Sequence, residues 1–132
     1  MQPFSFPISV RFADLDMLGH VNNAVYFSYV EQARLEFLAF FEITSATFPS
    51  IVLARAECNH LSPILLGHQV EIKTWVTRIG TKSFELAHEV YANSIIAATL
   101  KTVLVWYDHK SKTAQPIPDE IRAKLNLQML KS

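Results

Sequence analysis

Residues 24–41 read AVYFSYVEQARLEFLAFF, and this stretch decides the fold. It holds no Gly or Pro, and the two residues before it, Asn22 and Asn23, are both good helix N-cap types. Tyr26, Val30, Ala33, Phe37 and Phe40 recur at helical spacing, while Ser28, Gln32 and Glu36 form one narrow polar stripe at i, i+4 intervals. The spacing therefore predicts a long helix over 24–41. Its other positions are so apolar that it is expected to be covered on most sides, unlike an ordinary surface helix.

Working outward, residues 6–13 alternate loosely and read as a strand. Beyond the helix the period changes to two. Residues 51–61 form one strand candidate, ended by Ser62-Pro63. Val70, Ile72, Thr74 and Val76 alternate with Glu71, Lys73, Trp75 and Thr77 in the next, and Phe84, Leu86, His88 and Val90 with polar neighbours in a third. Residues 97–107, rich in Val, Thr and aromatics, make a fourth. The connections at Gly80-Thr81-Lys82 and Asn93-Ser94 are short, so these strands should be antiparallel neighbours. Residues 116–124 read as a short terminal helix. The predicted order is strand, helix, then four strands: an α+β single domain over 1–132, with an antiparallel sheet curled around the long helix. The edge strands of such a sheet invite a second copy to pair.

Composition narrows the function classes. Of 132 residues half are apolar and 18% charged, which places the chain among globular proteins. Twelve Lys plus Arg balance twelve Asp plus Glu, so the electrostatic footprint of a general nucleic-acid binder is missing. The single cysteine, Cys58, closes no intrachain disulfide and rules out a cysteine-based zinc cage. The first residues, MQPFSFP, have neither a basic start nor an apolar run, so no secretory signal is expected, and no stretch is long and apolar enough for a bilayer span. The expectation is a cytoplasmic protein.

The segment leading into the helix, RFADLDMLGHVNNAVYF at residues 11–27, sets two carboxylates, a glycine and a histidine just before the helix N-terminus. Backbone N–H groups there have no intrahelical partner and carry partial positive charge. They are suited to a developing oxyanion, and one such donor is typically worth about 3–4 kcal/mol in the transition state. Gly19 allows a sharp turn, and a carboxylate at the same place can attack a carbonyl or take a proton from water. These parts match acyl transfer better than phosphoryl or hydride transfer. Asp, Gly and Asn before a helix are also ordinary turn and capping residues, so the residues alone leave both readings open.

The run Asp14-x-Asp16-x-x-Gly19-His20-Val21-Asn22-Asn23-x-x-Tyr26-Phe27, followed by Glu31-x-Ala33-Arg34, resembles the signature of hotdog-fold acyl-CoA thioesterases, and more narrowly the 4-hydroxybenzoyl-CoA thioesterase family. The similarity extends through 59–72, with Pro63 and Gly67 placed as in the family, and covers residues 5–110. The resemblance implies a hotdog fold, with Asp16 as nucleophile or general base and the Asn23 amide polarising the thioester carbonyl. His20, Asn22 and Tyr26 would shape the site or orient water. It implies Arg78, Lys82 and Ser83 on the phosphates of coenzyme A, and a homodimer or homotetramer with sites where subunits meet. Coenzyme A would be part of the substrate, with no cofactor or metal required. The acyl group, fatty or aromatic, would lie beside the helix. Two positions depart from the family pattern: His68 follows Gly67 where Asp is common, and His60 stands where an aromatic is frequent.

Four other groupings offer rival readings. Asp14, Asp16 and His20 offer hard and imidazole ligands, but nothing nearby in sequence completes a metal shell. Cys58 and His60 share a strand face as a conceivable nucleophile pair, against the commoner reading of an inert core thiol. Glu31 is an alternative helix carboxylate. His88 reads as a satisfied core histidine. Two rival functions remain at this level: a non-catalytic acyl- or aryl-thioester binding module on the same fold, and a purely structural oligomer.

Overall fold

A computed structural model describes residues 3–43 and 51–130. The strands are β1 (Phe4–Ser9), β2 (Ile51–His60), β3 (Gln69–Ile79), β4 (Ser83–Ala92), β5 (Ile95–Asp108) and β6 (Thr113–Ala114), and the helices α1 (Val25–Phe40) and α2 (Asp119–Leu127). The first strand ends sooner than its alternation predicts, because Phe12–Asp14 coils into a single 3-10 turn. The strand pair β5–β6 had no sequence signal, since β6 is only two residues long. The terminal helix starts at Asp119, after Pro118, three residues later than the pattern suggests.

The strands form one antiparallel sheet in the order β1-β3-β4-β5-β2, with β6 on β5. Register explains the alternation. Ile72 stands opposite Val90, Thr74 opposite His88, and Val76 opposite Leu86, while His88 faces Leu100 and Leu86 faces Thr102 across β4–β5. One face of the sheet is thus a continuous buried layer, and α1 lies across it. The β4–β5 turn is tight because Asn93 and Ser94 both take positive φ, 49° and 68°, the geometry that matches strand twist in a two-residue hairpin.

The core falls into two parts along α1. The first half of the helix packs Tyr26, Tyr29, Val30 and Ala33 on Ile64, Val70, Ile72, Val90 and Leu100. The second half packs Phe37 and Leu38 on Val76, Phe84, Leu86 and Leu104, and α2 closes that end with Ile121 and Leu125. Phe4 on β1 sits edge-on to Phe37 and Phe41, with centroids 5.7 Å from each.

The helix is not covered on most sides. Its sheet-facing stripe is buried, whereas Phe27, Leu35 and Phe40 are exposed, Phe40 at 71%. Apolar character on both faces therefore reflects more than the core of one chain. The polar stripe behaves as its spacing predicts: Gln32 Nε2 donates to Glu36 Oε1 at 3.2 Å.

Buried polar groups are paired. His88, 1% exposed, lies between two hydroxyls, with Nδ1 3.0 Å from Thr74 Oγ1 and Nε2 2.8 Å from Thr102 Oγ1. Burial, reinforced by the positive charge of Arg34, pushes its pKa down to about 3, so it is neutral at physiological pH.

Candidate active site

The chain between β1 and α1 is fixed from both ends. Asp14, 2% exposed, accepts from the Arg11 amide at 3.0 Å, from Arg11 Nη2 at 2.9 Å and from the Tyr29 hydroxyl at 2.6 Å. Burial works against its charge, but the bonds from Tyr29 and Arg11 outweigh that and hold the carboxyl below its usual range. Burial, reinforced by the same contact, pushes the Tyr29 phenol far up. The Asp14 carbonyl in turn accepts the Asn22 amide at 2.9 Å, tying the start of the motif to its end. Asp14 is thereby committed to structure. With its carboxylate buried and that of Asp16 exposed, the two do not form one ligand set with His20.

Residues 16–20 make a tight loop closed by Asp16 N–H to His20 O at 2.8 Å and Gly19 N–H to Asp16 O at 3.1 Å. Gly19 has φ +81°, the left-handed residue that follows a type I turn in a three-residue hairpin loop. Inside that loop Asp16 Oδ1 accepts the Leu18 and His20 amides, at 2.9 and 3.3 Å. The other oxygen, Oδ2, has no partner among the described residues, and Asp16 is exposed. Two bonds thus orient the carboxylate and leave one oxygen for chemistry. Val21 N–H to Ile64 O, at 2.8 Å, ties the loop to the β2–β3 connection, as does a bridge between His20 and Leu65.

At the helix start Asn22 Oδ1 accepts the Ala24 amide at 2.9 Å, and the Asn22 carbonyl accepts the Val25 amide at 2.8 Å. Asn22 thus closes a side-chain turn just ahead of the helix, whose N-cap is Ala24. The Asn23 amide has no acceptor among the described residues, and Asn23 is exposed. The His20 ring makes no hydrogen bond among them. Tyr26 points inward: its ring is buried and its hydroxyl donates to Ser62 O at 3.4 Å.

Other sequence candidates lie elsewhere. Cys58 Sγ and His60 Nε2 are 3.6 Å apart, and burial pushes the Cys58 thiol up, away from the thiolate a nucleophile needs. Exposed Glu31 pairs with buried Arg34 at 3.6 Å, and both line a cavity of about 120 Å³ between α1 and β2, with Phe27, Leu53 and Thr102. Arg78, Lys82 and Ser83 stand at the β3–β4 turn. The loop bearing Asp16 adjoins the other end of β3, where Gln69 pairs with Ser9, so within one chain these residues are roughly 30 Å of strand away. The role of Tyr29 carried no sequence signal beyond its helical spacing to Tyr26, because its partner Asp14 is fifteen residues distant.

An antiparallel sheet of six strands packed on one long helix, with a short C-terminal helix, is the hotdog thioesterase fold. The chain belongs to the thioesterase-like superfamily, whose family model matches residues 10–125, and it is a thioester hydrolase. It is 31% identical to the long-chain acyl-CoA thioesterase FadM of Escherichia coli over 94% of this chain and 97% of that protein. It is 29% identical to the 1,4-dihydroxy-2-naphthoyl-CoA hydrolase of Nostoc punctiforme, over 89% of this chain and 83% of that protein. Among solved structures, a Thermus thermophilus thioesterase complexed with coenzyme A and zinc superposes with a TM-score of 0.86 at 36% identity, covering 99% of this chain and 97% of that one. A predicted thioesterase from Bacillus stearothermophilus reaches 0.89 at 26% identity, covering 98% of each. Among the described residues no helix is long and apolar enough to cross a membrane.

Proposed function

We propose that this enzyme hydrolyses acyl-CoA thioesters in the manner of the 4-hydroxybenzoyl-CoA thioesterase family, with Asp16 as nucleophile or general base and the Asn23 amide as oxyanion donor. The observation that carries this reading is a carboxylate held by one oxygen, Asp16, in the loop that leads into a helix start whose Asn23 amide has no acceptor among the described residues. As base, the free Oδ2 takes a proton from a water that attacks the acyl carbon; the C–S bond breaks, coenzyme A leaves as thiolate and takes up that proton, and the acyl group leaves as the acid. As nucleophile, Oδ2 attacks the acyl carbon, the C–S bond breaks with coenzyme A leaving as thiolate, and water then cleaves the acyl–Asp16 anhydride, giving the acid, the restored carboxylate and the proton that the thiolate takes up. Asn22 supports the helix start, Tyr26 packs beneath it, and His20 borders the carboxylate. Nucleophile and oxyanion donor both come from the chain, so this reading assigns no metal or cofactor, and coenzyme A is substrate.

The sheet order supports a dimer. Among the described residues β2 is an edge strand with no strand paired on its outer side, and Leu53 on it is 46% exposed. Antiparallel pairing of two β2 strands about a two-fold axis lays the Ile51 end of one beside the His60 end of the other. The β3–β4 turn lies at the Ile51 end, since Ile51 pairs with Trp106 and Ser83 with Val105. The helix start lies at the His60 end, since His60 Nε2 is 3.3 Å from Asn23 O. Pairing therefore brings Arg78, Lys82 and Ser83 of one copy toward the Asp16 loop of the other, as coenzyme A phosphates require.

The test is thiol release from short, long and aromatic acyl-CoAs, with acyl-CoA binding measured in parallel. Turnover of at least one of them supports the reading. Binding without release would instead identify a non-catalytic thioester-binding module, and neither binding nor release a structural oligomer.

A further inference from the structure

His60 occupies a position that the proposed chemistry does not use, yet it touches the residue whose amide is to hold the oxyanion. It is the last residue of β2, paired with Ala98, and its ring lies edge-on to buried Tyr26 with centroids 4.7 Å apart. From there Nε2 reaches Asn23 O at 3.3 Å. A carbonyl oxygen only accepts, so the proton is assigned to Nε2. That assignment also prevents Nε2 from serving as a base for the Cys58 thiol 3.6 Å away.

In a regular helix the Asn23 carbonyl would receive the Phe27 amide. Here Phe27 N–H turns to Ala24 O at 3.3 Å, and His60 supplies the Asn23 carbonyl with its partner. The peptide that follows Asn23 is then gripped on both edges, its C=O by His60 and its N–H by Asn22 Oδ1 at 2.9 Å. The peptide that precedes Asn23 is held by Val25 N–H to Asn22 O at 2.8 Å. Both dihedrals of Asn23 are thus bounded by side-chain and backbone bonds, and its own amide is left without an acceptor among the described residues. We propose that His60 is a positioning residue: its Nε2–H fixes the peptide after Asn23 and thereby aims the Asn23 amide at the thioester carbonyl. This rests on the thioesterase reading above and adds to it a residue from the sheet edge.

The role follows from how sharply an oxyanion bond depends on aim. A preformed donor costs nothing to reorganise when charge develops, whereas a loosened one loses much of its benefit. It touches the transition state more than the ground state, so kcat falls while KM holds.

The test compares His60→Phe, which keeps a ring against Tyr26 but has no donor, with His60→Gln, whose amide N–H reaches a similar place. Thiol release and hydrogen exchange of the Ala24 amide are both read. The expected result for His60→Phe is a kcat lower by about tenfold, the equivalent of one ordinary hydrogen bond, at little-changed KM and with faster Ala24 exchange. His60→Gln should recover most of both. Wild-type kcat or wild-type Ala24 exchange in the Phe variant overturns the proposal, as does an equal loss in Phe and Gln. Failure of the thioesterase reading looks different: wild type releases no thiol from any acyl-CoA, while Ala24 exchange still separates the Phe variant from wild type.

Discussion

The Tyr29 hydroxyl donates to Asp14 Oδ2 at 2.6 Å, joining the middle of α1's first half to the loop that precedes it. This bond, with the Arg11 contacts on the same carboxylate, sets the height of the Asp16 loop over the helix start. Tyr29→Phe leaves a buried carboxylate one donor short, at a cost of about 1–3 kcal/mol. The expected outcome is a Tm several degrees lower and reduced kcat at unchanged fold, checked by thermal melting beside thiol release. An unchanged Tm would show that Arg11 alone holds the loop.

Stability should fall on the acid side in a way that His88 dominates. Unfolded, a histidine takes its proton near pH 6.5; folded, His88 does so only at about 3. Its contribution is fully present above about pH 6.5 and is lost progressively as pH drops toward 3, because there the unfolded chain binds a proton that the folded chain does not. The slope approaches about 1.4 kcal/mol per pH unit for one proton. Asp14, whose folded carboxyl is held low, adds a loss in the same direction below the ordinary carboxylate range. Denaturant unfolding at pH 7, 6, 5 and 4 measures this. His88→Gln should be less stable at pH 7 yet show a flatter pH dependence.

Gly19 sits at φ +81° with open space where a Cβ would go. Gly19→Ala therefore meets backbone strain and no clash, about 1–2 kcal/mol. Because the loop orients Asp16 through the Leu18 and His20 amides, kcat should drop by more than the stability change explains. Gly19→Asn, which tolerates the left-handed region better, should lie between the two.

The open β2 edge predicts a dimer at micromolar concentration. Leu53→Arg, placing a charge on the exposed edge, should shift light scattering to the monomer mass and abolish turnover together. A fully active monomeric wild type would contradict the shared-site arrangement.

Much of this was legible in the sequence because the signals are local. The helical spacing over 24–41 marked the helix, though not how much of it is exposed, and the alternation around Val70–Thr77 and Phe84–Val90 marked inward faces that the register bears out. Exposed Phe27 and Phe40 could not be told from core by spacing, since that is a property of one chain against its surroundings. Local turn chemistry pointed to a tight turn at Gly19, while the choice of Asp16 over Asp14 came from the family resemblance of the motif. The bonds from Tyr29 to Asp14 and from His60 to Asn23 span fifteen and thirty-seven positions, and only the fold brings such partners together. The same limit hides the separation of Arg78, Lys82 and Ser83 from the Asp16 loop, which follows from strand length and sheet order.

The most direct test of the account is Asp16→Asn, assayed by thiol release on the best acyl-CoA beside wild type, with Tm as a control. The swap keeps the oxygen that accepts from Leu18 and His20 and replaces the free Oδ2 with an amide nitrogen, so the loop should survive while the chemistry does not. The account predicts a Tm close to wild type and a kcat lower by about a hundredfold or more. Equal hydrolysis by the two proteins would make Asp16 a turn residue only and move the search to Glu31.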